Sequence, residues 1–171
     1  MRTTLVSSRL FGRHALLRFR PADWDALITE LAQRADGVRE SGAFLLAPAQ
    51  AEGPEVTTII YYDDLDPDAL DGGVSLYAEA FGRLWSHCAA NRLRVLGDIH
   101  THPSNVVRQS AIDRGNPMVA AVGHIALIVP NLAVGVIRPI DVGVHRYLGD
   151  AGWTSSFGRE ARGLIYVGRW A

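Results

Sequence analysis

Lysine is missing from the 171 residues, so all 17 basic side chains are arginine, set against 18 acidic ones. A GC-rich coding bias accounts for this, given the abundance of Ala, Gly, Val and Asp. Escape from a lysine-conjugation system acting nearby predicts the same composition. Cysteine is nearly missing as well. With Cys88 as its one cysteine the chain cannot form an internal disulfide, which excludes a disulfide-held scaffold and leads us to expect a cytoplasmic setting. No run of ~18 apolar residues occurs, and residues 1–8 lack the apolar stretch of a leader, so neither a membrane span nor secretion is expected. A net charge of −1 leaves no electrostatic footprint for nucleic acid. Repeats, low-complexity segments and linkers are lacking too. One domain over residues 1–171 is therefore expected, burying about 70% of the surface its unfolded chain exposes.

What is present reads as alternating helices and strands. Pro21 opens a helical pattern carrying Trp24, Leu27, Ile28, Leu31 and Ala35, closed by Gly37, with Glu40 on the following loop or strand edge. Residues 56–62 are rich in Val, Thr, Ile and Tyr and predict a strand. Ser75 then caps a helix whose Leu76, Tyr77, Ala80, Phe81, Leu84, Trp85 and Cys88 form a core face. Residues 94–99 predict a strand ending at a pair of histidines, and residues 124–129, 133–137 and 141–148 predict later strands. Asp63, Asp64, Asp66, Asp68 and Asp71 surround Pro67 and read as a solvated acidic connector.

The densest chemistry lies at residues 100–113. His100 and His102 flank Thr101, seven residues follow, and Ser110 and Asp113 stand three apart. Residues two apart on a strand face the same way, so both imidazoles can point to one place, and the turn begun at Pro103 can return Asp113 to them. Imidazole nitrogen and carboxylate oxygen suit zinc at roughly 2.0–2.2 Å, with three protein ligands leaving a fourth position open. Two plainer readings stand beside this one. A His-x-His pair is weak alone, and Ser110 with Asp113 is also a capping-box pattern. The two uses of Asp113 are expected to exclude each other.

With these residues the chain resembles the JAB/MPN (JAMM) zinc metalloproteases, prokaryotic branch, whose pattern is Glu, a gap, His-[Ser/Thr]-His, seven residues, Ser, two residues, Asp. The upstream glutamate matches Glu40, just before the apolar stretch 42–47. The chain departs from the pattern at Ala43 and Ala47, where glycine is frequent, and at Gln109, where proline often precedes the serine. Asp98 stands where an aromatic residue is common, to contact a ligand histidine or to face solvent. The resemblance covers about residues 20–150. It implies an α/β single-domain JAB/MPN (cytidine-deaminase-like) fold, a mixed sheet flanked by helices.

The resemblance also implies an activity. Zn2+ held by His100, His102 and Asp113 would acidify a water, Glu40 would act as the catalytic base and then as proton donor to the departing amine, and Ser110 would stabilise the oxyanion. The bond cut would be the amide after the carboxyl terminus of a ubiquitin-like protein, in deconjugation or precursor processing. A sulfur-carrier-protein hydrolase of cysteine biosynthesis and a non-catalytic MPN scaffold are the alternatives. Partners on this reading are a ubiquitin-like or sulfur-carrier substrate and activating or conjugating enzymes, with no nucleic acid and no membrane. A DNA-repair-associated branch is suggested by His-x-His-Pro-Ser, although Asn105 replaces the glycine usual after that serine. A zinc nucleoside deaminase is set aside, because one cysteine cannot supply Pro-Cys-x-x-Cys.

Overall fold

A computed structural model describes residues 14–71 and 73–169; residues 1–8, searched above for a leader, lie outside them. The elements in order are β1 (Leu17–Phe19), α1 (Pro21–Ala35), β2 (Gly42–Pro48), β3 (Thr58–Tyr61), α2 (Tyr62–Leu65), α3 (Ala78–Asn91), β4 (Leu93–Thr101), α4 (Ala111–Gly115), β5 (Ile125–Val129), β6 (Gly143–Tyr147), β7 (Trp153–Ser156), α5 (Arg159–Leu164) and β8 (Ile165–Val167). Six strands form one sheet in the order β3-β2-β4-β5-β6-β7, while β1 and β8 pair separately and in parallel. Only β4 and β5 run parallel within the large sheet, so the molecule is a mixed α/β domain with a mixed sheet flanked by helices. Among the described residues no helix is long and apolar enough to cross a membrane.

Strand alternation divides the interior into two cores. On β2, Ala43 and Leu45 join Leu17, Phe19, Ile99, Leu127 and Val144 beneath α1, whereas Phe44 and Leu46 join Tyr62, Leu70, Leu84 and Cys88 beneath α2 and α3. α1 buries the stripe its spacing predicts, Trp24, Leu27, Ile28, Leu31 and Ala35, with Pro21 at its start. Its left-handed cap is Asp36, one residue before the expected Gly37.

Several elements differ from the sequence reading. α3 begins at Ala78 with Tyr77 as N-cap, three residues after Ser75, so Tyr77 lies outside the helix and is 65% exposed. Trp85, one position round the helix from the buried Leu84, is 45% exposed, because the buried stripe is Ala80, Leu84 and Cys88 at i, i+4 and i+8. Residues 133–137 form no strand: Asn131, Leu132 and Ala133 make a turn with φ of 53°, 53° and 60°. The acidic connector is not wholly solvated either. Asp63 and Asp64 belong to α2 and hold Arg34 of α1 at 2.6 and 2.8 Å, while the same guanidinium stacks on Tyr61 at 4.1 Å.

Candidate metal centre

β4 delivers the histidines at its carboxyl end. His100 shares a face with Asp98, two residues back, and His102 follows the last strand residue. Beyond β4 the chain stays bonded to its neighbour: the His102 amide donates to the Val129 carbonyl, the Leu132 amide to the His102 carbonyl, and the Asn131 amide to the Ser104 carbonyl. The left-handed turn at 131–133 makes the last two bonds geometrically possible. Such backbone costs non-glycine residues roughly 1–2 kcal/mol apiece and tends to collect at functional sites.

Residues 103–109 carry the chain from His102 to Ser110, and two imidazoles pin them. His102 Nδ1 lies 2.8 Å from the Val106 carbonyl, and His145 Nε2 lies 3.0 Å from that of Val107. A carbonyl only accepts, so the facing nitrogen carries the proton in each case. His145 Nδ1 is then free to accept from the Ser155 hydroxyl at 2.8 Å. Burial pushes the His145 pKa down, in keeping with a neutral ring. Gly143 lies under this loop, where a Cβ would sit 2.1 Å from the Val107 carbonyl oxygen. No side chain but hydrogen fits there.

Ser110 caps α4 and brings Asp113 round to the histidines. The Asp113 amide donates to Ser110 Oγ at 3.1 Å, and the Ser110 amide donates to Asp113 Oδ2 at 2.7 Å, closing the capping box. The same carboxylate approaches both rings, Oδ1 lying 3.8 Å from His100 Nε2 and Oδ2 lying 3.4 Å from His102 Nε2. Closing the capping box does not turn the carboxylate away from the histidines, since a carboxylate has about four lone-pair positions. Partial burial pushes the Asp113 pKa up, but His102, His100 and the Ser110 amide outweigh it and hold the carboxyl well below its usual range. His102 is raised, chiefly by Asp113 and against its own burial, with Glu40 a lesser contributor.

The donor set fits a metal ion. His100 Nε2 and His102 Nε2 lie 3.2 Å apart, and one ligand atom from each of His100, His102 and Asp113 falls within 4.8 Å of the others. Ligands placed tetrahedrally at 2.0–2.1 Å around zinc are separated by about 3.3 Å, close to the 3.2 Å between the imidazole nitrogens, while a single Asp113 oxygen lies within 4.8 Å of both. Protonation at His102 Nδ1 leaves its Nε2 lone pair directed at this point.

Glu40 reaches the same cleft from another element. Thr101, between the histidines, accepts from the Ser41 amide through Oγ1 at 2.9 Å, its own amide donates to the Ser41 carbonyl at 2.9 Å, and Ser41 Oγ donates to the Leu31 carbonyl at 2.7 Å. These bonds fix the residue after Glu40 against β4. The resulting cleft, about 580 Å³, is lined by Glu40, Asp98, His100, Ser110 and Asp113, with Leu76, Phe81, Met118 and Trp153 as apolar walls. Its size falls in the range of small-molecule sites.

Asp98 does not face solvent. It is 1% exposed and accepts from Tyr62 Oη at 2.9 Å and from His124 Nε2 at 2.6 Å. Burial pushes its pKa up, but the imidazoles of His100 and His124 more than compensate and bring it to about 2. Neither Tyr62 nor His124 was singled out from the sequence. The signal available was a polar residue within β4, at 98, and another just before the apolar run of β5, at 124.

No known family profile matches the chain. Its fold is similar to that of a Desulfitobacterium hafniense protein known from a solution structure, at 15% identity over 90% of this chain and 94% of the other, with a TM-score of 0.60. A Salinibacter ruber protein is similar at 16% identity over 82% and 88%, with a TM-score of 0.53. At these identities the likeness is one of fold. A JAB1/MPN domain protein from Archaeoglobus fulgidus aligns at 14% identity over 86% and 91%, with a TM-score of 0.39, too low to establish a shared fold.

Proposed function

We propose that this protein is a JAMM-type zinc hydrolase of single-domain JAB/MPN fold that cleaves the amide bond after the carboxyl terminus of a ubiquitin-like or sulfur-carrier protein. The observation that supports this reading most is the convergence of His100 Nε2, His102 Nε2 and an Asp113 oxygen within 4.8 Å of one another, beside a cleft lined by Glu40 and Ser110. A motif that joins residues 60 apart from its glutamate to a common cleft is harder to reach by chance than any one of its parts. Zinc, when bound, supplies a Lewis acid that makes water nucleophilic near neutral pH.

The rest is work for the chain's own side chains. Glu40 takes a proton from the attacking water as its oxygen bonds to the carbonyl carbon, then delivers that proton to the nitrogen as the carbon–nitrogen bond breaks, a role worth roughly 10²–10⁴ in rate. Ser110 Oγ accepts the Asp113 amide, so its hydroxyl proton is free to donate to the carbonyl oxygen as charge develops there. The apolar walls admit a chain end and limit water. Activating or conjugating enzymes for the same ubiquitin-like protein, in a cytoplasmic setting, are the partners that fit this chemistry.

Elemental analysis decides the first step: wild type carries one zinc per chain and His102→Ala carries little. Incubation with fusions of candidate ubiquitin-like and sulfur-carrier proteins, followed by mass spectrometry, decides the second. Cleavage at the tail, stopped by chelation and lowered at least 10²-fold in Glu40→Gln with zinc retained, is the expected result. Equal trace metal in wild type and His102→Ala would overturn the reading. A zinc-loaded wild type that cleaves none of the fusions would leave a scaffold instead.

A further inference from the structure

The face of β4 that carries His100 packs polar groups where the opposite face packs aliphatic ones. Asp98 and His100 are nearly fully buried on it, and so is His124, just before β5, which meets Asp98. Burying a carboxylate is costly unless donors surround it. Here Tyr62 Oη donates to Oδ2 and His124 Nε2 to Oδ1, one on each oxygen, so the carboxylate is held from both sides. Oδ2 then lies 3.8 Å from His100 Nδ1, on the opposite side of that ring from His102 and Asp113. That distance is too long for a hydrogen bond, yet it sets a fixed negative charge against one nitrogen of His100.

We propose that Asp98, clamped between Tyr62 and His124, is the positioning residue of His100: it favours the tautomer protonated at Nδ1 and so turns the Nε2 lone pair toward the metal. The inference rests on the zinc reading above. His102 is set the same way by the Val106 carbonyl. Against this stand His102 Nε2 at 3.2 Å and Asp113 Oδ1 at 3.8 Å, both of which draw a proton to His100 Nε2 while no cation lies there. Without Asp98 the rings have an easier choice, with His100 protonated at Nε2 and donating to His102. That hydrogen bond would compete directly with metal.

Two measurements test this. Nitrogen-15 NMR of the metal-free protein is expected to show a larger Nδ1-protonated fraction of His100 in wild type than in Asp98→Asn; equal fractions overturn the proposal. In Asp98→Asn the population is expected to move to the Nε2–H form, and zinc affinity, measured by competition with a chromophoric chelator, to fall about 10–100-fold. Tyr62→Phe keeps the acceptor and loses one clamp, so its tautomer stays as in wild type and its loss is smaller. Wild-type affinity and tautomer in a folded Asp98→Asn overturn the role of Asp98 while leaving the zinc site standing. A wild type that binds no zinc defeats the site itself, and the tautomer measurement then still judges Asp98 separately.

Discussion

Thr101 shows how one hydroxyl links the candidate site to folding. It stands between two histidines aimed at the cleft, yet its own side chain turns to the other face of the sheet edge and accepts the buried Ser41 amide. Valine has nearly the same shape and no acceptor. Thr101→Val therefore leaves that amide unsatisfied, which costs about 1–3 kcal/mol, and frees the segment that carries Glu40. Chemical denaturation should show the stability loss, and turnover should fall by more than zinc affinity does. Unchanged stability in that variant would mean that the amide finds water and that Glu40 is anchored elsewhere.

At the scale of elements, the placement of Asp113 depends on the span 103–109 more than on α4, which has only five residues. That span is held from β6 by His145 and from β5 by the turn at 131–133, whose Asn131 amide bonds the Ser104 carbonyl. Gly143 makes the β6 contact possible by close approach. Gly143→Ala would place a Cβ 2.1 Å from the Val107 carbonyl oxygen and 2.9 Å from His145 Nε2, neither able to yield cheaply. The loop must lift, at about 1–3 kcal/mol, and Asp113 moves with it. Isothermal titration should find zinc binding at least tenfold weaker in this variant. Wild-type affinity would show that α4 finds its place without the loop.

The same scale shows where pattern reading succeeds and where it stops. The stripe on α1 was legible because its helical period and its burial coincide, Pro21 marking the start. On α3 the period was legible but the breadth of the buried face was not: Trp85 and Tyr77 look like core residues in sequence and face solvent, since only a narrow stripe reaches β2 and β4. Residues 133–137 carry a strand-like composition, yet the left-handed turn before them breaks the extended path. Left-handed backbone at Leu132 and Ala133 has no local signature, because neither residue prefers it.

For the whole molecule, a metal held at the candidate site would couple to stability. The three donors come from β4, the residue after it and α4, so an ion held among them binds the folded chain and not the unfolded one. At zinc one hundred times above its dissociation constant the folded state gains about 2.7 kcal/mol, a rise in Tm of roughly 5–10 °C for a domain of this size. Differential scanning calorimetry with zinc and with a chelator should show it, and Asp113→Asn should abolish most of the difference. Identical melting with and without zinc in wild type would count against a site in the folded core.

By itself the sequence determined the helical stripe on α1 and the spacing that carries His100, His102, Ser110 and Asp113. These are properties of neighbours along the chain, and local backbone geometry carries them into space. Only the tertiary structure decided that Asp98 is buried between Tyr62, 36 residues before it, and His124, 26 residues after it. It likewise decided that Asp113 caps its helix while facing both histidines, and that Thr101 ties Ser41 to β4 across 60 residues. Such contacts depend on strand register and on the path of the connecting loop, which arise from packing summed over the whole core. No short window of sequence contains that sum.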